Sequence, residues 1–208
     1  TGSSNFDGAL QSRCHANTTT GCSIVKWTGS GSSQTIGHDL GQKPDIVFTK
    51  RLGSSTNWTV YTDVIDGSND YFTLNGTDNA SNSSNPVATS TVFQKNDTNA
   101  EEVIAYCFAS KPGFSKIGRY KGNGSSNGTF TYTGFKPSFV LYKGAVGTNS
   151  TDNWEIIDNA RHTGSKRNPQ DDVLYPNLNN AEGQNATDRM DLVCLLYTSP
   201  SPRDLSTS

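Results

Sequence analysis

The sequence has no long apolar run and no excess of one charge. Hydrophobic residues make up 32% of its 208 residues, and the mean hydropathy is -0.61. Because a helix that spans a bilayer needs about 20 consecutive apolar residues, membrane insertion is not expected. Lys and Arg number 17 against 19 Asp and Glu, so no basic surplus favours a nucleic-acid partner. A neutral partner such as a glycan is compatible with this balance.

Paired cysteines and metal-ligand spacings are also lacking. The four cysteines, Cys14, Cys22, Cys107 and Cys194, form no CxxC pair. Cys107 lies inside the apolar run 103–109, where a buried free thiol packing as a small hydrophobe is expected. The histidines His15, His38 and His162 stand in no ligand spacing, so neither a metal nor a cofactor is expected. One alternative is a calcium ion in the Asp- and Asn-rich loop 78–85, although EF-hand spacing is absent.

Motifs of catalysis are missing as well. The sequence contains no GxSxG elbow, no HExxH helix and no Walker-type loop. The adjacent pairs Glu101-Glu102 and Asp171-Asp172 would point to opposite faces of a strand, so neither pair can act as acid and base at one site. We therefore expect no enzyme and no catalytic residue. An enzyme would need carboxylates from separate strands, for which the candidates are Asp63, Asp66, Glu101, Glu155 and Asp158.

What the chain does contain is Ser, Thr, Asn and Gly between short apolar runs, a composition that favours turns and strands over helix. We predict an all-β fold of antiparallel β-sandwich-like units. The run 103–109 is apolar on both alternating faces, so it is expected to be a central strand covered on each side. The first unit is predicted to have strands at 23–28, 34–38, 45–50, 58–62, 71–75, 91–94 and 102–109.

The sequence repeats internally. The Gly-x-Gly glycines Gly29 and Gly31 recur as Gly122 and Gly124, and Lys-Pro at 43–44 recurs at 136–137. Such self-similarity predicts tandem units, each with its own small core. The second unit is predicted to have strands at 119–121, 129–133, 138–143, 154–158 and 173–175 and to be truncated, because the counterpart of 103–109 would lie beyond Val193. Its edge is then unpaired.

These patterns divide the chain into four segments. Residues 1–20 are interpreted as a fragment or linker from an upstream region, since Thr1 onward lacks the order of a signal peptide. Residues 21–110 form repeat 1, and residues 113–193 form an incomplete repeat 2. Residues 194–208 begin CLLYTSPSPRD, which resembles a translated sequencing-library adapter, and are interpreted as a non-native tail.

The segment 16–29, the stretch 36–41 and the Gly-Phe-Lys-Pro motif 134–137 resemble an uncharacterised duplicated β-rich domain of virion-associated proteins in marine tailed bacteriophages. The resemblance covers roughly residues 6–193. It implies a structural or adhesion module of a tail fibre or appendage, extracellular once the virion is assembled. Its implied partners are other virion proteins and a bacterial surface glycan, and a homotrimer is one arrangement that it allows. The family's usual Phe is replaced by Cys22, and its closing strands are missing here.

Adhesion would use polar loops on a rigid β scaffold. The candidate loops are 53–57, 78–85 and 144–153, and the candidate glycan contacts are Trp58, Trp154, Asn57 and Asn153. A flat indole ring suits a pyranose face. The alternative for both tryptophans is packing in the core or between sheets, because they occupy the same repeat position. Two further functions stay open: a carbohydrate-active tail depolymerase and a structural spacer without a ligand.

Overall fold

Strands and turns make up the fold, in a computed structural model that describes residues 2–125, 128–146, 152–161, 170, 172–184 and 190–193. These residues contain no helix, and hence none that could span a bilayer, and every pair of strands is antiparallel. The all-β prediction is confirmed. The strands are β1 (Ser3–Asn5), β2 (Ser12–Asn17), β3 (Cys22–Thr28), β4 (Ser33–Gly37), β5 (Ile46–Arg51), β6 (Thr59–Thr62), β7 (Asp70–Thr73), β8 (Ser81–Asn82), β9 (Val92–Asn96), β10 (Glu102–Phe108), β11 (Phe139–Lys143), β12 (Trp154–Asp158), β13 (Asp172–Val173) and β14 (Gly183–Gln184).

The main sheet has eight strands in the order β1-β2-β3-β10-β5-β6-β7-β8. Its central strand is β10, which pairs along its length with β3 on one side and with β5 on the other. One face of β10, formed by Val103, Ala105 and Cys107, is fully buried, whereas the side chains between them are partly buried. The predicted central strand is therefore found, with one face more deeply covered than the other.

A second layer, the antiparallel pair β4–β9, whose strands are far apart in the sequence, covers this face of the main sheet and makes the unit sandwich-like. Trp27 lies in the core between the layers, packs edge-on against Phe93 of β9 at 5.5 Å and donates its indole N–H to Asp97 at 2.9 Å. Cys14 and Cys107 are free thiols in the same core, and burial raises the pKa of both. The predicted role of Cys107 as a small apolar residue is confirmed.

All seven strands predicted for the first unit are present, as β3 to β7, β9 and β10. The interpretation of residues 1–20 as a linker is wrong, because β1 and β2 lie in the main sheet and β2 pairs with β3 along six residues. The turn between β2 and β3 ends at Gly21, whose φ of 69° suits glycine. The alternating pattern of β2 is weak because its buried side chains include Ser12, so its composition resembles a turn.

In the second half, the strands predicted at 138–143, 154–158 and 173–175 correspond to β11, β12 and β13. The strands predicted at 119–121 and 129–133 are not formed. Tyr120 is 54% exposed, whereas Trp27, its counterpart in the repeat alignment, is 3% exposed. Trp27 lies on a strand that pairs with both β2 and β10, and no described strand pairs with residues 119–121. The counterpart of β10 would lie beyond Val193, outside the described residues.

The two halves share a hydrophobic cluster, which corrects the expectation of a separate core in each. Trp154 is 4% exposed and packs against Phe72 of β7 at 5.6 Å, with the ring planes at 76°. Its indole N–H donates to the carbonyl of Thr73 at 3.0 Å. Leu141 of β11 joins Val60 of β6 in the same cluster. The hairpin β11–β12 is therefore docked on the face of the main sheet that points away from the β4–β9 layer.

Replacing Trp154 tests this docking. Trp154→Ala should lower the free energy of unfolding by about 3–5 kcal/mol, because it removes a buried aromatic ring and leaves a cavity. Trp58→Ala, at the matching repeat position but only partly buried, should cost clearly less. Urea unfolding followed by far-UV circular dichroism measures both values. Equal costs would contradict docking through Trp154.

A second prediction concerns His38, which is fully buried beside Phe93. Its Nδ1 accepts a hydrogen bond from the amide of Leu40, so the ring is neutral, and burial lowers its pKa. Because the unfolded chain binds the proton more tightly, the stability from neutral His38 is complete above its unfolded pKa near 6.5 and declines as the pH falls below that value. His38→Gln should remove this component from the urea midpoint measured between about pH 8 and pH 5. An unchanged pH profile would refute the assignment.

Candidate functional site

A polar pocket of about 170 Å³ opens where the β4–β9 layer meets the ends of β5 and β6. Its walls come from both layers and from the loop that joins β5 to β6. The lining residues are Thr49, Arg51, Thr56, Asn57, Thr59, Lys95 and Val103. This volume is below the roughly 300–1,000 Å³ of pockets for drug-sized ligands, so the pocket suits a group of about one sugar residue.

Two lining side chains, Thr56 and Arg51, lack a hydrogen-bond partner among the described residues. By contrast, the Thr49 hydroxyl donates to the Thr59 carbonyl at 3.3 Å, and Lys95 Nζ donates to the Asn96 carbonyl at 3.5 Å. The hydroxyl of Thr56 is buried and makes no hydrogen bond. The Arg51 guanidinium has a single ion pair, Nε to Glu101 Oε2 at 3.7 Å, which is too long for a hydrogen bond. Since buried polar groups are normally hydrogen-bonded, a group of unused donors in a concave site indicates a ligand rich in acceptors.

Lys95 contributes the second cation. Its side chain is 12% exposed and lies over the ring of Tyr61, with Nζ 5.4 Å from the ring centroid. The nearest carboxylate oxygen is Asp97 Oδ1, at 3.6 Å from Nζ. Because Asp97 is buried and also accepts the Trp27 indole N–H, it fixes Lys95 to the core at the pocket wall.

The loop between β5 and β6 is held in place by its neighbours. Lys50 Nζ donates to the carbonyls of Ser54, at 3.5 Å, and of Thr56. The Ser54 hydroxyl donates to Glu101. Two anchors in a short loop fix the backbone that presents Thr56 and Asn57 to the pocket, so the site is preformed.

Asn57 is oriented by Asn75, which ties the start of β6 to the end of β7. Asn75 Nδ2 donates to Asn57 Oδ1 at 2.8 Å, while Asn75 Oδ1 accepts the amide of Trp58 at 3.0 Å. We call this pair of hydrogen bonds the asparagine clamp. It occupies the acceptor oxygen of Asn57 and leaves the Nδ2 amide as a donor at the rim of the pocket.

The other predicted contacts lie elsewhere. Trp58 is partly buried, and the centroid of its ring lies 6.1 Å from that of Tyr106 of β10. It does not line the pocket. Trp154 is in the shared cluster, so its ring cannot stack on a sugar. Asn153 serves a second clamp through Asn177 at 2.8 Å. Of the four predicted contacts, Asn57 alone lines the pocket. The loops 78–85 and 144–153 do not line it either, and residues 147–151 and His162 lie outside the described residues.

Sequence reasoning missed Arg51 and Lys95, and it included Thr56 only as part of the candidate loop 53–57. They come from the end of β5, a loop and β9, and only the pairing of two distant layers brings them together. The sequence signal that could have indicated the site is Lys95, a cation within a strand whose other side chains face the core. A buried cation needs a partner, so such a Lys indicates a polar site.

A family of domains of unknown function, DUF7483, matches residues 1–195. The chain belongs to the DUF7483 family. The match includes residues 1–20, in agreement with the place of β1 and β2 in the sheet. No curated protein and no solved structure matches the chain.

The carboxylates of this DUF7483 chain that could serve catalysis have separate structural partners. Asp63 pairs with Lys43, Glu155 accepts the Tyr142 hydroxyl, and Asp158 pairs with Arg161 at 2.6 Å. Burial opposes ionisation of Asp158, but hydrogen bonds from Arg161 and Ala160 keep its pKa below the usual value. The two remaining candidates are Asp66, which caps Ser68 at the surface, and Glu101, which pairs with Arg51.

No cluster of three or more His, Cys, Asp or Glu side chains within the described ranges is placed to hold a metal ion. In the loop 78–85, predicted as an alternative calcium site, residues 81–82 form β8 and pair with β7. A second cavity, between Tyr61 and Phe93, measures about 20 Å³. That volume admits roughly one water molecule and no larger ligand.

The asparagine clamp occurs twice in this DUF7483 chain. Asn177 Oδ1 accepts the amide of Trp154 at 3.1 Å, as Asn75 does for Trp58. The strand registers also correspond: Ile46–Thr62 and Phe48–Val60 pair in β5–β6, and their counterparts Phe139–Asp158 and Leu141–Ile156 pair in β11–β12. Asp70–Asn82 is matched by Asp172–Gln184. The four strands that begin at β5 and the four that begin at β11 therefore share these registers, and the tandem repeat of whole units stays a prediction.

Removing each clamp tests its contribution. Asn177→Ala should lower the free energy of unfolding by about 1–3 kcal/mol, because its partners are partly buried and would be left unsatisfied. Asn75→Ala should cost about 0.5–1.5 kcal/mol, because water can replace the partners of an exposed clamp. Urea titration of both variants gives the comparison, and a larger cost at Asn75 would contradict it.

Proposed function

We propose that this chain is a non-enzymatic glycan-recognition and adhesion module of a phage virion, in a tail fibre or appendage. The observation that carries the proposal is a pocket lined mainly by polar residues, in which Thr56 and Arg51 make no side-chain hydrogen bond to the described part of the chain. Hydroxyl, amide and cationic side chains on a rigid sheet are the groups that bind the many acceptor oxygens of a saccharide.

The assignment to a virion follows from the resemblance of the repeated motifs to virion-associated domains. In such a particle the module contacts other virion proteins, is extracellular and acts in several copies, for instance as a homotrimer. A pocket sized for one sugar residue binds weakly, and repetition on the particle supplies avidity.

Two observations favour binding over hydrolysis. The seven lining residues include no carboxylate, whereas glycoside hydrolysis requires two. The five candidate carboxylates are engaged in separate ion pairs or hydrogen bonds. A depolymerase therefore has no acid–base pair in this pocket, and a spacer has no use for it.

The test is binding of the intact chain, displayed on multivalent beads, to an array of bacterial envelope polysaccharides. We expect retention on a subset of glycans and no new reducing ends. Asn57→Ala should weaken retention, because it removes the amide donor at the rim. Asn153→Ala, its repeat counterpart away from the pocket, is the matched control.

Retention on no glycan would leave the spacer function. Released reducing ends above background would establish the depolymerase and overturn the proposal.

A further inference from the structure

The side chains that line the pocket indicate the chemical class of its ligand. Its lining carries two cationic side chains and no carboxylate. Thr56 adds a hydroxyl without a hydrogen-bond partner, whereas the Thr49 hydroxyl already donates to the Thr59 carbonyl. The asparagine adds an amide whose oxygen is already occupied by Asn75. The groups of the lining that are left to donate to a ligand are therefore chiefly the Thr56 hydroxyl, the asparagine amide and the Arg51 guanidinium.

The arrangement of the two cations indicates where the negative charge of a ligand would lie. Lys95 is held from the core side by Asp97, which also accepts the Trp27 indole. Arg51 is contacted by Glu101 through Nε, at 3.7 Å. A guanidinium has five N–H donors in a planar fork that fits carboxylate and other oxyanions. The donors not directed at Glu101 have no other partner among the described residues.

The buried Thr56 hydroxyl, which has no hydrogen-bond partner and therefore destabilises the fold, also indicates a ligand with acceptor oxygens. An unsatisfied buried polar group destabilises a fold, and a valine of nearly the same shape would remove that cost. Its presence beside Arg51 and Lys95 places a third donor in the pocket.

We propose that the pocket between β5, β6 and β9 binds a saccharide through an oxyanion, with Arg51 and Lys95 at the charge and Thr56 and Asn57 at neighbouring oxygens. This inference rests on the proposed function and specifies its ligand class as an acidic sugar. A carboxylate on a hexuronic acid and a sulfate on a hexose present the same chemistry.

The experiment compares glucuronate, a 6-sulfated galactose, glucose and inorganic phosphate as probes of the intact chain, by NMR titration of backbone and Arg Nε signals. Glucuronate or the sulfated sugar should shift signals of residues 49–59 and 95 and bind at least about tenfold more tightly than glucose, the difference that one charge-assisted contact supplies. Added salt should weaken binding, because the attraction is partly screened. The arm with the higher affinity distinguishes carboxylate from sulfate.

Two variants test the residues. Arg51→Gln should weaken binding of the acidic sugar about tenfold and leave glucose almost unaffected. The matched control is Lys26→Gln, which removes a cation paired with Glu102 on a strand outside the pocket. Thr56→Val should weaken binding while keeping or raising the melting temperature, a combination that a purely structural role of Thr56 does not produce. Melting curves of all three variants verify folding.

The outcomes separate this inference from the proposed function. If a neutral glycan from the array binds and Arg51→Gln has no effect, the acidic-sugar assignment is wrong and adhesion stands. If phosphate binds as tightly as glucuronate, the pocket is an anion site without a sugar component and the assignment is also wrong. If no saccharide of either kind binds, both proposals fall.

Discussion

The fold depends on the pairing of β10 with β3 and β5. In the sequence, β10 is separated from β3 and from β5 by more than half of the first unit, and each of these two strands satisfies one backbone edge of β10. The side chains of Val103, Ala105 and Cys107 then form the floor on which the β4–β9 layer packs. Since Val103 also lines the pocket and β10 fixes the position of β5, the site exists only once this central strand is in place.

The need for a central strand that is paired on both edges also explains why the second half of the chain packs differently from the first. The run of four strands from β5 and the run from β11 share their registers and the asparagine clamp. However, the described residues give β11 a partner only in β12. Tyr120 remains more than half exposed, whereas its counterpart Trp27 is buried, and Phe130 is more than half exposed as well. The second half instead gains stability by packing Trp154 and Leu141 on the back of the main sheet, so one cluster serves both halves.

Much of this fold could be predicted from the sequence, because strands with alternating apolar residues or a continuous apolar run can be recognised from the sequence pattern. The seven strands of the first unit and β11 to β13 are of this kind. The edge strands β1 and β8 and the inner strand β2 were missed because Ser and Asn fill positions that are either exposed or buried with hydrogen bonds, as Ser12 is to the Gly37 carbonyl. The strands expected at 119–121 and 129–133 failed for the opposite reason: their local pattern is suitable, but a strand needs a partner, and pairing is not a local property.

The residues of the site were harder to predict from the sequence than the strands. The Asn-Trp pairs at 57–58 and 153–154 single out Asn57 in the sequence. Both pairs take part in an asparagine clamp. Of the two asparagines, however, only Asn57 lines the pocket. The pocket beside Asn57 also needs Arg51 at the end of β5 and Lys95 on a strand of the other layer. At the position that corresponds to Arg51 the second half has Gly144, which has no side chain to donate. The two runs of strands therefore share the clamps that orient Asn57 and Asn153, whereas the guanidinium of Arg51 has no counterpart in the second run.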